Sequence, residues 1–202
     1  MLDVTLLGEV FVTLFVIMDP PGVIPLFLSL TGGRAPAVRR RVAWQAALVA
    51  FLVITLFALF GQQILNYLHI TLAALRVSGG LLLLLVALEL LTGKADEVSP
   101  TVDVNVALVP LGTPLLAGPG AIVATMVFVQ QTGGAAPRLL AVALGIVGVH
   151  VALWLTMRYS VVILRIIKDS GVLLITRVSG LLLSAIAVQL VADGLRDYIS
   201  GG

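Results

Sequence analysis

The sequence predicts an all-α membrane protein: six transmembrane helices forming two inverted three-helix repeats, with helices 1 and 4 broken near mid-membrane. Three observations predict it. Of the 202 residues, 60% are hydrophobic and only 11% charged, whereas a soluble domain carries about 25% charged residues. Two apolar stretches are interrupted, one at Asp19-Pro20-Pro21-Gly22 and one at Ala117-Gly118-Pro119-Gly120. Proline cannot continue a helical hydrogen-bond ladder, so each interruption splits a membrane-length stretch into two half-helices. Finally, the chain repeats itself. At an offset of 101, "RVSGGLLLLLVALELLTG" (76–93) lies over "RVSGLLLSAIAVQLVADG" (177–194), and at an offset of 98, Pro21, Gly22 and Ile24 fall on Pro119, Gly120 and Ile122. Three helices per repeat is an odd number, so the second copy inserts with the opposite orientation, as in many secondary transporters.

The first segment runs from Val4 to Thr31. That exceeds the roughly 20 residues of a straight span and leaves room for a break. Its N-terminal flank, Met1-Leu2-Asp3, lacks the basic region of a signal peptide, so the segment is read as a retained span. A basic Gly/Pro-bearing loop follows at 32–41. Segment two covers Val42–Leu65, a short polar connection bears Tyr67 and His69, and segment three covers Leu72–Leu91. The most charged stretch, "TGKADEVSPTVDVN" at 92–105, is the linker between halves. Segment four covers Val106–Gln130 with its break at 117–120; a loop occupies 131–138. Segment five covers Leu139–Met157, 158–169 reads as an interfacial continuation, and segment six covers Val172–Ala192. The chain thus divides into a first repeat (1–93), a linker (94–105) and a second repeat (106–202) within one membrane domain.

Positive charge orients these segments. Arg34, Arg39, Arg40, Arg41, Lys94, Arg158, Arg165, Lys168 and Arg177 fall on one side, and Arg76, Arg138 and Arg196 on the other. The nine mark the cytoplasmic side, with both termini periplasmic or extracellular in an inner or plasma membrane. A net charge of +2 gives no reason to expect nucleic acid. With no cysteine, thiolate metal sites, disulfides and thiol catalysis are excluded. No His-Glu-x-x-His, Gly-x-Ser-x-Gly or Walker lysine motif occurs, so no metal, no cofactor and no enzymatic activity are expected.

Paired broken helices point to a transporter's binding site. At the second break, Pro119 opens a half-helix whose first amides, on Gly120, Ala121 and Ile122, lack a side-chain cap from Leu116, Ala117 or Gly118. Such amides attract anions, and in a membrane they must be satisfied. A substrate carboxylate fits there, and glycine at 118 and 120 permits close approach; a proline kink satisfied by neighbouring helices is the competing reading. At the first break, Asp19 before Pro20 reads as an N-cap with proline at the first helical position. Beyond capping, a carboxylate at this depth is a candidate to face a substrate ammonium or take up a proton. Asp19, Pro20, Gly22, Gly118, Gly120, Ala121 and Ile122 are therefore the substrate-binding candidates. The gating or coupling candidates are Arg76, Arg177, His150, Ser78 and Ser179. Against these stand snorkelling for the arginines and helix packing for the serines and the histidine.

"DPPGVIPLF" (19–27), "LRVSGGLLL" (75–83) and "VPLGTPLLAGPGAI" (109–122) resemble, in order and spacing, the motifs of the MarC family of integral membrane proteins. That family includes the small neutral amino-acid transporters of the SnatA type. The resemblance implies six helices, external termini and proton-coupled movement of glycine, alanine and similar amino acids. It also implies an Asn in place of the "DPPG" aspartate in some relatives. The same architecture admits an exporter or channel for another small solute, and a membrane scaffold without transport is a further alternative.

Overall fold

The computed structural model describes residues 2–92 and 117–200, and these are helical throughout apart from short turns. Seven helices lie among the described residues: α1 (Val4–Met18), α2 (Val23–Thr31), α3 (Pro36–Leu68), α4 (Leu72–Thr92), α5 (Pro119–Gln131), α6 (Ala136–Arg158) and α7 (Ser160–Ile199). The last is interrupted at Lys168, whose φ is 60°.

Four helical stretches are long and apolar enough to cross a membrane: α3, α4, α6 and residues Ser170–Ile199 of α7. Helices α1 and α2, which meet at 51° across the first break, pass the same test together and are a candidate fifth, as a broken span or a re-entrant loop. Of the expected segment four (106–130), residues 106–116 lie outside the described residues, and α5, with 13 residues, accounts for its second half alone. The surface is that of a protein in lipid. Leu52, Leu56, Leu59, Leu81, Leu85, Leu174 and Leu181 all point outward. Small side chains line the interior instead, among them Ala43, Ala46, Ala47 and Ala50 on one stripe of α3. Between helices in a bilayer, small residues let backbones approach and gain van der Waals contact.

Glycines show the packing directly. A Cβ on Gly80 would come within 2.8 Å of the Ala187 carbonyl and 3.0 Å of the Val191 amide, and one on Gly194 within 2.9 Å of the Ala73 carbonyl. Gly180 lies against Ala87, Leu90 and Leu91. Residues rising along α4 therefore meet residues falling along α7, and these two helices, which carry the Arg-Val-Ser-Gly repeat, form the largest antiparallel pair. Similarly, Gly145 packs on Val10 and Gly148 on Phe11, so α1 and α6 run parallel. Helix α5 is wedged among α1, α3 and α4, with Gly61 of α3 against Met126 and Gly79 of α4 against Val123.

Some sequence-based boundaries move. Helix α3 begins at Pro36, six residues before the expected Val42, because proline suits the first helical turn and Arg39–Arg41 remain compatible with a helix end at the interface. The connection after α3 shrinks to residues 69–71, where His69 adopts a left-handed conformation (φ 56°). The 158–169 continuation is helical over Ser160–Ile167. At the start of the chain, Asp3 caps α1, accepting from the Leu6 amide at 3.0 Å, and faces Arg138 of α6 at 3.6 Å.

Candidate functional site at the first helix break

Asp19 lies between α1 and α2 in a left-handed conformation (φ 40°, ψ 64°) and donates its amide to the Phe15 carbonyl at 3.0 Å. It is thus the C-cap of α1. The expected role as N-cap of α2 is not what the structure holds: α2 starts at Val23, behind Gly22, without a side-chain cap. The physical reason is the second proline. An N-cap carboxylate bonds the amide at the second or third helical position, and Pro21 removes the first of these donors. The backbone of the break closes itself instead, through Val23 N–H to the Asp19 carbonyl at 3.2 Å and Ile24 N–H to the Pro21 carbonyl at 3.1 Å.

This leaves the carboxylate without a capping task. Asp19 is 5% exposed, and neither Oδ1 nor Oδ2 has a hydrogen-bond partner among the described residues. The donors facing it are the Gly22 amide and the Ser179 hydroxyl of α7. A Cβ on Gly22 would collide with the carboxylate and approach Thr176 Oγ1 to 3.2 Å. Gly22 is therefore needed for the space its hydrogen leaves to Asp19. Thr176 and Ser179 are three residues apart and share one face of α7. Asp19, Gly22 and Ser179, all marked from the sequence, are brought together here, with buried Pro20 beside them. Thr176 was missed, because its counterpart in the repeat is Leu75.

The second break is built differently. Gly118 is the N-cap of α5, without a side-chain bond. Its carbonyl accepts from Ala121 N–H at 3.0 Å and Ile122 N–H at 3.2 Å. The expected set of three open amides is therefore reduced: Ala121 and Ile122 are satisfied by the carbonyl that starts the helix. Gly120 N–H has no acceptor among the described residues. The Cα of Gly120 packs so closely on Leu83 of α4 that any side chain would overlap it. At the position corresponding to Asp19 stands Ala117, 2% exposed, so the carboxylate of the first break is not repeated at the second.

The remaining candidates lie elsewhere. Arg76 of α4 forms an ion pair with Asp197 of α7, its side chain 15% exposed. Arg177 is exposed. Ser78 is exposed and donates to the Leu75 carbonyl at 3.1 Å. His150 is buried between α6 and α3, its Nδ1 2.7 Å from the Ile146 carbonyl, with Phe51 edge-on to its ring. Among the described residues no group of His, Cys, Asp or Glu could hold a metal ion. The Arg76–Asp197 pair ties α4 to α7 across 121 residues of sequence. A double-mutant cycle of Arg76→Gln and Asp197→Asn, read by denaturant titration in detergent, should return a coupling of about 1 kcal/mol, the upper figure for a partly exposed pair. A coupling of zero would remove the pair from the account of how these helices are held.

Comparison with known proteins agrees with the membrane architecture. The model of the MarC family integral membrane proteins matches residues 4–199. A membrane protein called UPF0056 from Archaeoglobus fulgidus is 35% identical over 199 residues, covering 94% of this chain and 92% of that one. One from Aquifex aeolicus is 35% identical over 202 residues, at 95% and 92% coverage. YvbG of Bacillus subtilis is 32% identical over 197 residues, at 93% of each chain. No solved structure matches the chain. On the strength of a match running almost from end to end, the chain belongs to the MarC family of integral membrane proteins.

Proposed function

We propose that the protein is a secondary transporter of small neutral amino acids, proton-coupled, whose substrate sits between the two helix breaks. In this reading the chain is an inverted repeat of six spans, and the arginine-rich ends face the cytoplasm. One observation carries the proposal: the Asp19 carboxylate, buried at the first helix break, with only the Gly22 amide and the Ser179 hydroxyl facing it among the described residues. An ionised carboxylate in such surroundings is costly unless a cation meets it. A substrate ammonium or a proton is such a cation, and Ser179 and Thr176 are at hand to share its hydrogen bonds. The substrate carboxylate is assigned to the uncapped start of α5, where the helix carries partial positive charge. The Gly120 amide is the contact left there, since Leu83 fills the space beside its Cα. Charge at one break only, Asp19 against Ala117, suits a zwitterion bound in one orientation.

Binding of a zwitterion to the native state raises stability by mass action, by about 2.7 kcal/mol at a hundredfold excess over the dissociation constant. Glycine and alanine should therefore raise the melting temperature of the purified protein, whereas propionate and ethylamine, each lacking one of the two charges, should not. Equal shifts with all four compounds, or none with either amino acid, would count against a zwitterion site.

A further inference from the structure

Both tryptophans of the chain, Trp44 and Trp154, meet edge to face at 6.1 Å in a groove between α3 and α6. The groove takes no part in either helix break. Its walls are almost wholly apolar, with Ala47, Leu48 and Phe51 from α3 and Val147 and Val151 from α6. Buried His150 also lines it, and Trp44 is 54% exposed. One turn from the tryptophans, toward the same end of both helices, come Arg40 and Arg41 on α3 and Arg158 on α6. The Arg158 guanidinium lies 5.3 Å from the centre of the Trp154 ring and 5.8 Å from that of Tyr159. No carboxylate among the described residues pairs with any of the three.

These features occur in one order along the two helices: guanidinium groups, then the tryptophan rings, then an apolar groove open sideways. A phospholipid presents its complements in the same order: phosphate, glycerol backbone, acyl chain. We infer that the α3–α6 groove seats one phospholipid with an anionic headgroup. Its phosphate meets Arg41 and Arg158, and one acyl chain lies along Leu48, Val147 and Val151. Converging positive charge gives the preference for a net-negative headgroup over a zwitterionic one, since juxtamembrane arginines gain from anionic lipid. The inference is independent of what the protein transports.

The two tryptophans make the groove its own reporter. The protein is reconstituted in phosphatidylcholine vesicles containing increasing mole fractions of phosphatidylglycerol brominated on its acyl chains, and tryptophan quenching is followed. The converse series uses brominated phosphatidylcholine in a phosphatidylglycerol-free background. Half-maximal quenching should require a several-fold lower mole fraction of the anionic lipid, and added salt should narrow the difference. In Arg41→Gln/Arg158→Gln the two lipids should quench alike, while maximal quenching stays at the wild-type level and so certifies an intact groove. Equal quenching by both lipids in the wild type would overturn the inference, leaving only bulk-lipid contact. So would a preference that survives the double substitution. Absence of quenching by either lipid would overturn it too, because the groove would then be covered by another copy of the chain.

Discussion

Asp19→Asn should lower the uptake of glycine and alanine into proteoliposomes by at least about thirtyfold, the effect of a loss of about 2 kcal/mol on removing one partner of a desolvated charge pair. The same substitution should leave the protein as stable as the wild type, or more so. Asn keeps the side chain's volume and removes a buried carboxylate that only the Gly22 amide and the Ser179 hydroxyl face among the described residues. That combination separates a functional carboxylate from a structural one. A residue that serves the fold loses stability when neutralised; one held for a ligand loses activity and relaxes the fold. Uptake at the wild-type rate in Asp19→Asn would assign the residue to the geometry of the break alone. There its left-handed backbone is a conformation Asn tolerates as well as Asp does.

Gly80→Leu should give the second large effect, on folding. Its new side chain would be driven into backbone atoms of α7, the Ala187 carbonyl at 2.8 Å and the Val191 amide at 3.0 Å. Neither can swing aside as a side chain can, so the cost lies at or above the top of the overpacking range, about 3 kcal/mol. The pair α4–α7 is the largest helix contact in the structure, and the variant should elute as aggregate or melt far below the wild type. Gly8→Leu is the control: nothing lies within 4 Å of a Cβ at that position, and its melting temperature should be unchanged. A stable, monodisperse Gly80→Leu would mean that α4 and α7 do not pack as described.

How far the sequence led differs from element to element. The first break was legible because two adjacent prolines cannot sit inside a helix, and the structure bends there by 51°. The close relation of the two Arg-Val-Ser-Gly helices was legible from the repeat; that they pack on each other is a long-range fact that no local pattern carries. The Asp19 cap was misread for want of attention to Pro21, which has no amide to give. Counting open amides at Gly120, Ala121 and Ile122 overlooked that the N-cap carbonyl itself accepts from the third and fourth helical residues. Thr176 escaped because the repeat replaces it with Leu75. The groove at Trp44 and Trp154 escaped for a different reason: residues 110 positions apart meet only once α3 and α6 are set antiparallel in one register. His150, marked from the sequence as a gating or coupling candidate, lines that groove instead.

The central claim, that the buried carboxylate at a broken span serves the passage of a small zwitterion, is tested most directly by radiolabelled alanine uptake. The purified wild-type protein would be sealed into proteoliposomes and assayed with and without an imposed pH gradient. The account predicts saturable uptake that the gradient accelerates and that excess unlabelled glycine suppresses. Uptake no faster than in protein-free vesicles, from protein that remains folded in the membrane, would contradict it and leave Asp19 without the ligand proposed for it.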